Sequence, residues 1–200
     1  MKKIGITGNI GCGKSWICAL FEAQGIPVFY SDYEAKQLYY RDEIKAIMKA
    51  RFGEEIYLPD GALDKVRLSK LIFNDEESRL FVEKTLYPAL NQYFAEWAEQ
   101  QAAPYVLYES AIIFEKHIEQ LFDAVIMVSA SERTRLRRVV TRDHCTPEDA
   151  HIRMKAQWSE DEKRRLADFI IYHENDDEDD FLRQQINEID RALVRIKNNL

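Results

Sequence analysis

Apolar residues gather in five short runs, at 3–7, 26–30, 104–108, 124–128 and 169–172, each rich in β-branched or aromatic side chains. The runs are continuous rather than alternating, as in strands buried on both faces. Between them apolar positions recur at helical spacing. The pattern predicts helices over 14–24, 31–51, 66–101, 131–142, 147–157, 160–166 and from about 180 to 197. Strand and helix alternate, so the fold class is α/β with a mostly parallel sheet.

The spacing is uneven. About seventy residues separate the second and third strands, far more than one crossover needs. A helical insertion over about 33–101 is expected there, within a core of 1–32 and 102–200. Inside it a turn signal, Pro59-Asp60-Gly61, precedes amphipathic helices whose apolar row reads Leu68, Leu71, Ile72, Leu80, Phe81, Leu86 and Leu90. No internal repeat is visible. The acidic run 174–180 reads as a solvated loop before the last helix.

Composition narrows the function classes. At 200 residues the chain suits one main domain with a small insertion. A net charge of −7 disfavours a general nucleic-acid binder but permits a local basic site. No apolar run reaches the roughly 18 residues of a membrane span, and the first residues lack the apolar stretch of a secretory signal. Cys12, Cys18 and Cys145 form no CxxC pair, which fits a reducing cytoplasm without a disulfide framework. His117, His144 and His151 show no metal-ligand grouping and read as surface or capping residues. Trp16 and Cys18, on the first helix, read as packing residues.

One segment names a chemistry. Gly8-Asn9-Ile10-Gly11-Cys12-Gly13-Lys14-Ser15 fits GxxxxGK[ST] at every required position, after an apolar strand and at the start of a helical pattern. Glycines at 8, 11 and 13 let the backbone curl with its N–H groups inward. Those groups and the helix N-terminus form an anion site for the β- and γ-phosphates of a nucleotide. Lys14 adds positive charge over the β and γ oxygens, and the Ser15 hydroxyl is a hard ligand suited to Mg²⁺. Cys12 reads as a loop filler. The alternative, a glycine-rich turn without a ligand, fits the strand and helix context poorly.

Further residues extend the site. The third strand ends in Glu109, and P-loop proteins hold Mg²⁺ partly through an acid at a neighbouring strand end, directly or through water. Its other reading is a solvent-facing carboxylate. A GTPase would need a guanine-reading NKxD element, and the chain has none. Arg133, Arg135, Arg137, Arg138 and Arg142 lie within ten residues free of acids. Arg135, Arg138 and Arg142 share a helical face, suited to charge spreading over a transferring phosphoryl group. The plainer reading is a solvated basic helix paired with Glu132, Asp143 and Glu148. Asp32, just past the second strand, either accepts a proton from an attacking hydroxyl or, with Ser31, caps the helix that follows.

Taken together these segments resemble the dephospho-CoA kinase family. The likeness runs through 3–15, Ser31-Asp32, 60–65, Tyr87-Pro88, 109–115, 138–143, Ala156-Gln157 and Ala167-Asp168, nearly the whole chain. The resemblance implies a P-loop nucleoside-triphosphate hydrolase fold with sheet order 2-3-1-4-5, a helical CoA-binding insertion, and an arginine-bearing lid over about 133–160. It implies transfer of a phosphoryl group from ATP to the ribose 3′-hydroxyl of dephospho-CoA, the last step of CoA synthesis, in the cytoplasm. Under it Asp32 is the base for that hydroxyl, Lys14 and Ser15 contact phosphate and Mg²⁺, Arg138 and Arg142 are lid arginines, and Gln157 matches a recurring glutamine.

The chain departs from the family pattern in places. Tyr30 stands for the first acid of a DxD, Tyr87 for a histidine, Lys65 for an arginine and Arg135 for a glutamine. Past the last strand His173 stands where asparagine is usual, with Asn175 two residues on. Lys14, Ser15, Asp32, Arg138 and Arg142 remain. A nucleoside monophosphate kinase and a nucleotide-dependent regulatory protein are the competing classes.

Overall fold

The computed structural model describes residues 1–174 and 179–196. Asn175 and the middle of the acidic run lie outside the described residues, as does Lys197 at the end of the expected last helix. Five parallel strands, β1 (Lys2–Thr7), β2 (Val28–Tyr30), β3 (Tyr105–Glu109), β4 (Ala124–Ser129) and β5 (Phe169–Tyr172), form one sheet in the order β2-β3-β1-β4-β5. The continuous apolar runs are its strands, and β4 is buried at every position. Central β1 pairs with β3 from Lys2↔Tyr105 to Ile6↔Glu109 and with β4 from Ile4↔Ala124 to Thr7↔Met127. After β1 the chain lays β2 and β3 on one side of that strand and then β4 and β5 on the other, so the topological switch point lies at the carboxyl end of β1.

The helices are α1 (Lys14–Glu22), α2 (Ser31–Leu38), α3 (Asp42–Phe52), α4 (Lys65–Asn74), α5 (Glu76–Glu99), α6 (Glu132–Asp143), α7 (Pro147–Lys155), α8 (Glu160–Leu166) and α9 (Asp179–Arg195). The chain divides into two compact units, one of Met1–Tyr30 with Gln101–Leu200 and one of Ser31–Gln100. In the first, one sheet face is closed by Ile17, Cys18, Leu20 and Phe21 of α1 and by Leu182, Ile186, Ile189 and Leu193 of α9. Tyr108 takes part in a second aromatic cluster, stacked 5.5 Å from Phe29 and tilted 5.2 Å from Phe122.

In the second unit α5 is the spine, and α2, α3 and α4 pack on it. Its buried positions Ser78, Val82, Leu86, Leu90, Phe94 and Ala98 recur every four residues. Leu80, expected in the apolar row, is instead 40% exposed, and Val82 takes the inward place. The two long helices expected here are each split. The Asp75 carboxylate accepts from Ser78 N–H at 2.9 Å, capping α5 and separating it from α4. Turn hydrogen bonds from Tyr40 to Gln37 and from Arg41 to Leu38 separate α2 from α3. The Pro59-Asp60-Gly61 turn closes a short hairpin-like bridge between Tyr57 and Leu63.

Candidate functional site: a phosphate loop and the helices that brace it

The loop 8–15 occupies the carboxyl end of β1 and runs directly into α1. Cys12 N–H donates to Asn9 O at 3.1 Å, which folds the first half of the loop into a turn. Gly13 is the N-cap of α1 in the left-handed region, φ 91°, and its carbonyl accepts the N–H groups of Trp16 and Ile17. The amides of Lys14 and Ser15 precede the first hydrogen bond of α1, so this end is suited to an anion. Gly11 has φ 80°, and a Cβ there would lie 2.5 Å from the Arg135 carbonyl. At Gly13 a Cβ would collide with the His173 ring. Both glycines are therefore required by conformation and by crowding. The Cys12 thiol is buried, which pushes its pKa up against the pull of Lys14; it fills the loop as a protonated, inert group.

Lys14 Nζ donates to Gly8 O at 2.9 Å and lies 3.8 Å from Glu109 Oε1. The register Ile6↔Glu109 brings this carboxylate to the loop from the neighbouring strand. Ser15 is exposed in the first turn of α1. Trp16, expected to pack, is 49% exposed, because the buried face of α1 is formed by Ile17, Cys18, Leu20 and Phe21.

The arginines of α6 separate into different roles. Arg138 Nη1 donates to the carbonyls of Gly11, Cys12 and His173 at 3.4, 3.3 and 3.0 Å, so its guanidinium sits against the loop. His173 Nδ1 donates to Cys12 O at 3.2 Å, since a carbonyl only accepts. Arg135, grouped by spacing with Arg138 and Arg142, is buried. Its Nε donates to Ala130 O at 3.1 Å and lies 3.3 Å from Glu160 Oε2. Arg142 is largely exposed and makes a two-pronged pair with Asp143, at 2.7 and 3.0 Å. Glu132 pairs with His151, 3.4 Å between Oε1 and Nε2. His144 ends α6 in the left-handed conformation, in the capping role its sequence context suggested. Asp32 belongs to the second unit, in the first turn of α2 and two residues after β2 ends. Tyr30 donates its hydroxyl to Glu22 at 3.0 Å.

Sequence reasoning marks Gln157 only through the family resemblance, and the contacts around the loop escape it. Gln157 Oε1 accepts Ile10 N–H at 2.7 Å, and Asn9 Nδ2 donates to Trp158 O at 2.9 Å. Trp158 N–H donates to Glu115 Oε1 at 3.3 Å, and the same oxygen lies 2.6 Å from Lys163 Nζ. The Lys163 side chain is wholly buried, and this lowers its pKa despite the favourable partner. Nothing in the string Glu160-Asp161-Glu162-Lys163-Arg164-Arg165 marks one lysine as buried. Glu160 also accepts from Ser129 Oγ and Ala130 N–H, fixing the end of β4. Glu174 accepts from Ser131 N–H and from the Ser131 and Thr134 hydroxyls at the start of α6. Burial is the largest single influence and raises its pKa, but the hydrogen bonds and the Arg138 charge together outweigh it and the net direction is down. This end of the acidic run is therefore bonded rather than loose.

A parallel sheet of this order, with the loop beyond its central strand and helices bearing arginines packed over it, defines a P-loop kinase. The family profile described as dephospho-CoA kinase matches residues 2–179. A dephospho-CoA kinase of Listeria monocytogenes is 35% identical over 175 residues, 85% of this chain and 87% of that one. One from Arabidopsis thaliana is 31% identical over all of this chain and 86% of its own. The crystal structure of TT1252 from Thermus thermophilus superposes with a TM-score of 0.81 at 30% identity, covering 98% of each chain. The chain belongs to the dephospho-CoA kinase family, which catalyses the last step of CoA biosynthesis.

Proposed function

We propose that this chain passes the γ-phosphoryl group of ATP to the ribose 3′-hydroxyl of dephospho-CoA through Asp32, Lys14, Arg138 and Arg142. The observation that carries the reading is the complete phosphate loop with Lys14 across it and Arg138 reaching it from α6. Asp32 orients the 3′-hydroxyl and takes its proton. The freed oxygen attacks the γ-phosphorus in line, a P–O bond forms, and the bond to ADP breaks. Charge spreading onto the equatorial oxygens is met by the Lys14 ammonium and the two guanidinium groups. The loop amides of 8–15 cradle the phosphates, and catalysis rests on positioning and electrostatics.

The donors suit Mg²⁺. Ser15 and Glu109 offer hard oxygens, while no cluster of three His, Cys, Asp or Glu among the described residues could hold an ion alone. That fits a cation bound mainly through substrate phosphates. Ser15 would hold it with Glu109, directly or through water, and it would supply positive charge to the β and γ oxygens. The substrates are ATP and dephospho-CoA, with no nucleic acid or membrane involved. No described helix is long and apolar enough to cross a membrane. The free thiols of Cys12, Cys18 and Cys145 suit a cytoplasmic setting.

The test is mass detection of CoA after mixing the protein with ATP, Mg²⁺ and dephospho-CoA, with AMP, CMP and UMP as alternative acceptors. CoA formation supports the reading. Phosphorylation of a nucleoside monophosphate instead would replace it with the related kinase class, and ATP binding without any product would favour a regulatory protein. In the Asp32→Asn variant turnover should collapse while ATP still binds; near-normal turnover would sink the base assignment.

A further inference from the structure

Gln157 and Trp158 occupy the short span between two fixed helix ends. On one side Ala156 caps α7, its N–H bonded to Met154 O. On the other Ser159 caps α8 in a reciprocal box with Glu162. Both residues of the span face the phosphate loop. The side chain of Gln157 accepts from the backbone of Ile10, and the backbone of Trp158 accepts from the side chain of Asn9. The span is itself tied down from behind. Trp158 N–H is held by Glu115, whose carboxylate is held by the buried Lys163, and Lys163 also donates to Ala111 O at 2.8 Å. The Trp158 ring meets His117 edge-on at 5.8 Å.

This arrangement divides the loop. Ile10 N–H is committed to Gln157 and Cys12 N–H to Asn9 O. These two amides set the shape of the loop rather than offer themselves to an anion. The amides at the start of α1, ahead of Trp16, can then face the phosphates without reorganising. A loop whose shape is set beforehand loses less conformational freedom when ligand binds, and affinity rises accordingly.

We propose that Gln157 is a positioning residue for the phosphate loop, its Oε1 holding Ile10 N–H so that the α7–α8 junction braces the loop for nucleotide. The inference rests on the phosphate-loop reading and extends it to a residue that acts through the loop backbone. Without the acceptor, ligand must order Asn9 and Ile10 on binding. The cost falls on nucleotide affinity and not on the acceptor substrate.

The test compares the full-length wild type with Gln157→Leu, which removes the acceptor, Gln157→Asn, which shortens it, and Gln157→Glu, which keeps an acceptor at the same reach. ADP affinity is measured by calorimetry, and Ile10 amide exchange by NMR. Gln157→Leu and Gln157→Asn should weaken ADP and raise the KM for ATP by about three- to tenfold, the scale of one lost hydrogen bond. The KM for dephospho-CoA should stay unchanged, and Ile10 amide exchange should accelerate. Gln157→Glu should keep the Ile10 amide protected. If Gln157→Leu does not fold, Gln157→Asn carries the comparison. Unchanged ADP affinity, unchanged Ile10 exchange, or an equal rise in both KM values would overturn the role of Gln157. A wild type that does not bind ADP would instead overturn the phosphate-loop reading itself.

Discussion

Alanine at Gly11 separates conformational strain from crowding. Gly11 has φ 80°, and a Cβ there would lie 2.5 Å from the Arg135 carbonyl oxygen and 3.0 Å from Arg135 Cα and from Val139 Cγ2. Gly25 supplies the control in the same compact unit, with φ 82° and nothing within 4 Å of its built Cβ. Placing alanine in the left-handed region costs about 1–2 kcal/mol at either position. Gly11→Ala must also push against the backbone of α6, which cannot move aside as a flexible side chain would, adding about 1–3 kcal/mol. Gly25→Ala should therefore lose about 1–2 kcal/mol and Gly11→Ala about 2–5 kcal/mol in urea unfolding. At roughly 2–4 °C per kcal/mol for a chain of this size, thermal melting would separate the two as well. ADP binding should weaken in Gly11→Ala and stay intact in Gly25→Ala. Equal stability losses would refute the reasoning, because they would mean that α6 does not press on the loop as the geometry requires.

Three further outcomes are expected. Lys163→Met strands the Glu115 carboxylate, and urea unfolding should show a loss of about 3–5 kcal/mol, partly regained on adding Glu115→Gln; a loss under about 1 kcal/mol would contradict the buried pair. Glu174 has a pKa below its usual 4.5, so its stabilisation is complete above that value and fades as pH falls through the lowered pKa. The stability gap between wild type and Glu174→Gln should thus be present near neutral pH and close in acid, and a gap that widens in acid would reverse the sign. Arg142→Met, removing an exposed pair, should change stability by less than about 1 kcal/mol yet lower turnover at least about tenfold. Arg138→Met should lower both, since its guanidinium also binds three backbone carbonyls; rates and urea curves of the two variants check this.

The strands were legible because their signal is local. Residues 124–128 are apolar throughout and buried throughout, and the motif at 8–15 carries its own geometry in its glycines. The long helical patterns misled at their breaks, where single side chains or turns such as the Asp75 cap end one helix and begin another. Spacing put Arg135, Arg138 and Arg142 on one helical face. They meet three different surroundings: the buried Arg135 faces Glu160, Arg138 the loop carbonyls, and the exposed Arg142 faces Asp143. Helical periodicity reports which way a side chain points from its own axis. It cannot report what waits there.

By itself the sequence determined the α/β class, the phosphate loop and the family resemblance, because each depends on residue types at short spacings. The tertiary structure alone decided that Lys163 is a buried partner of Glu115 and that Gln157 holds Ile10. Those contacts join residues 48 and 147 positions apart, and at such separations burial and partnership follow from how helices dock on the sheet rather than from any local pattern.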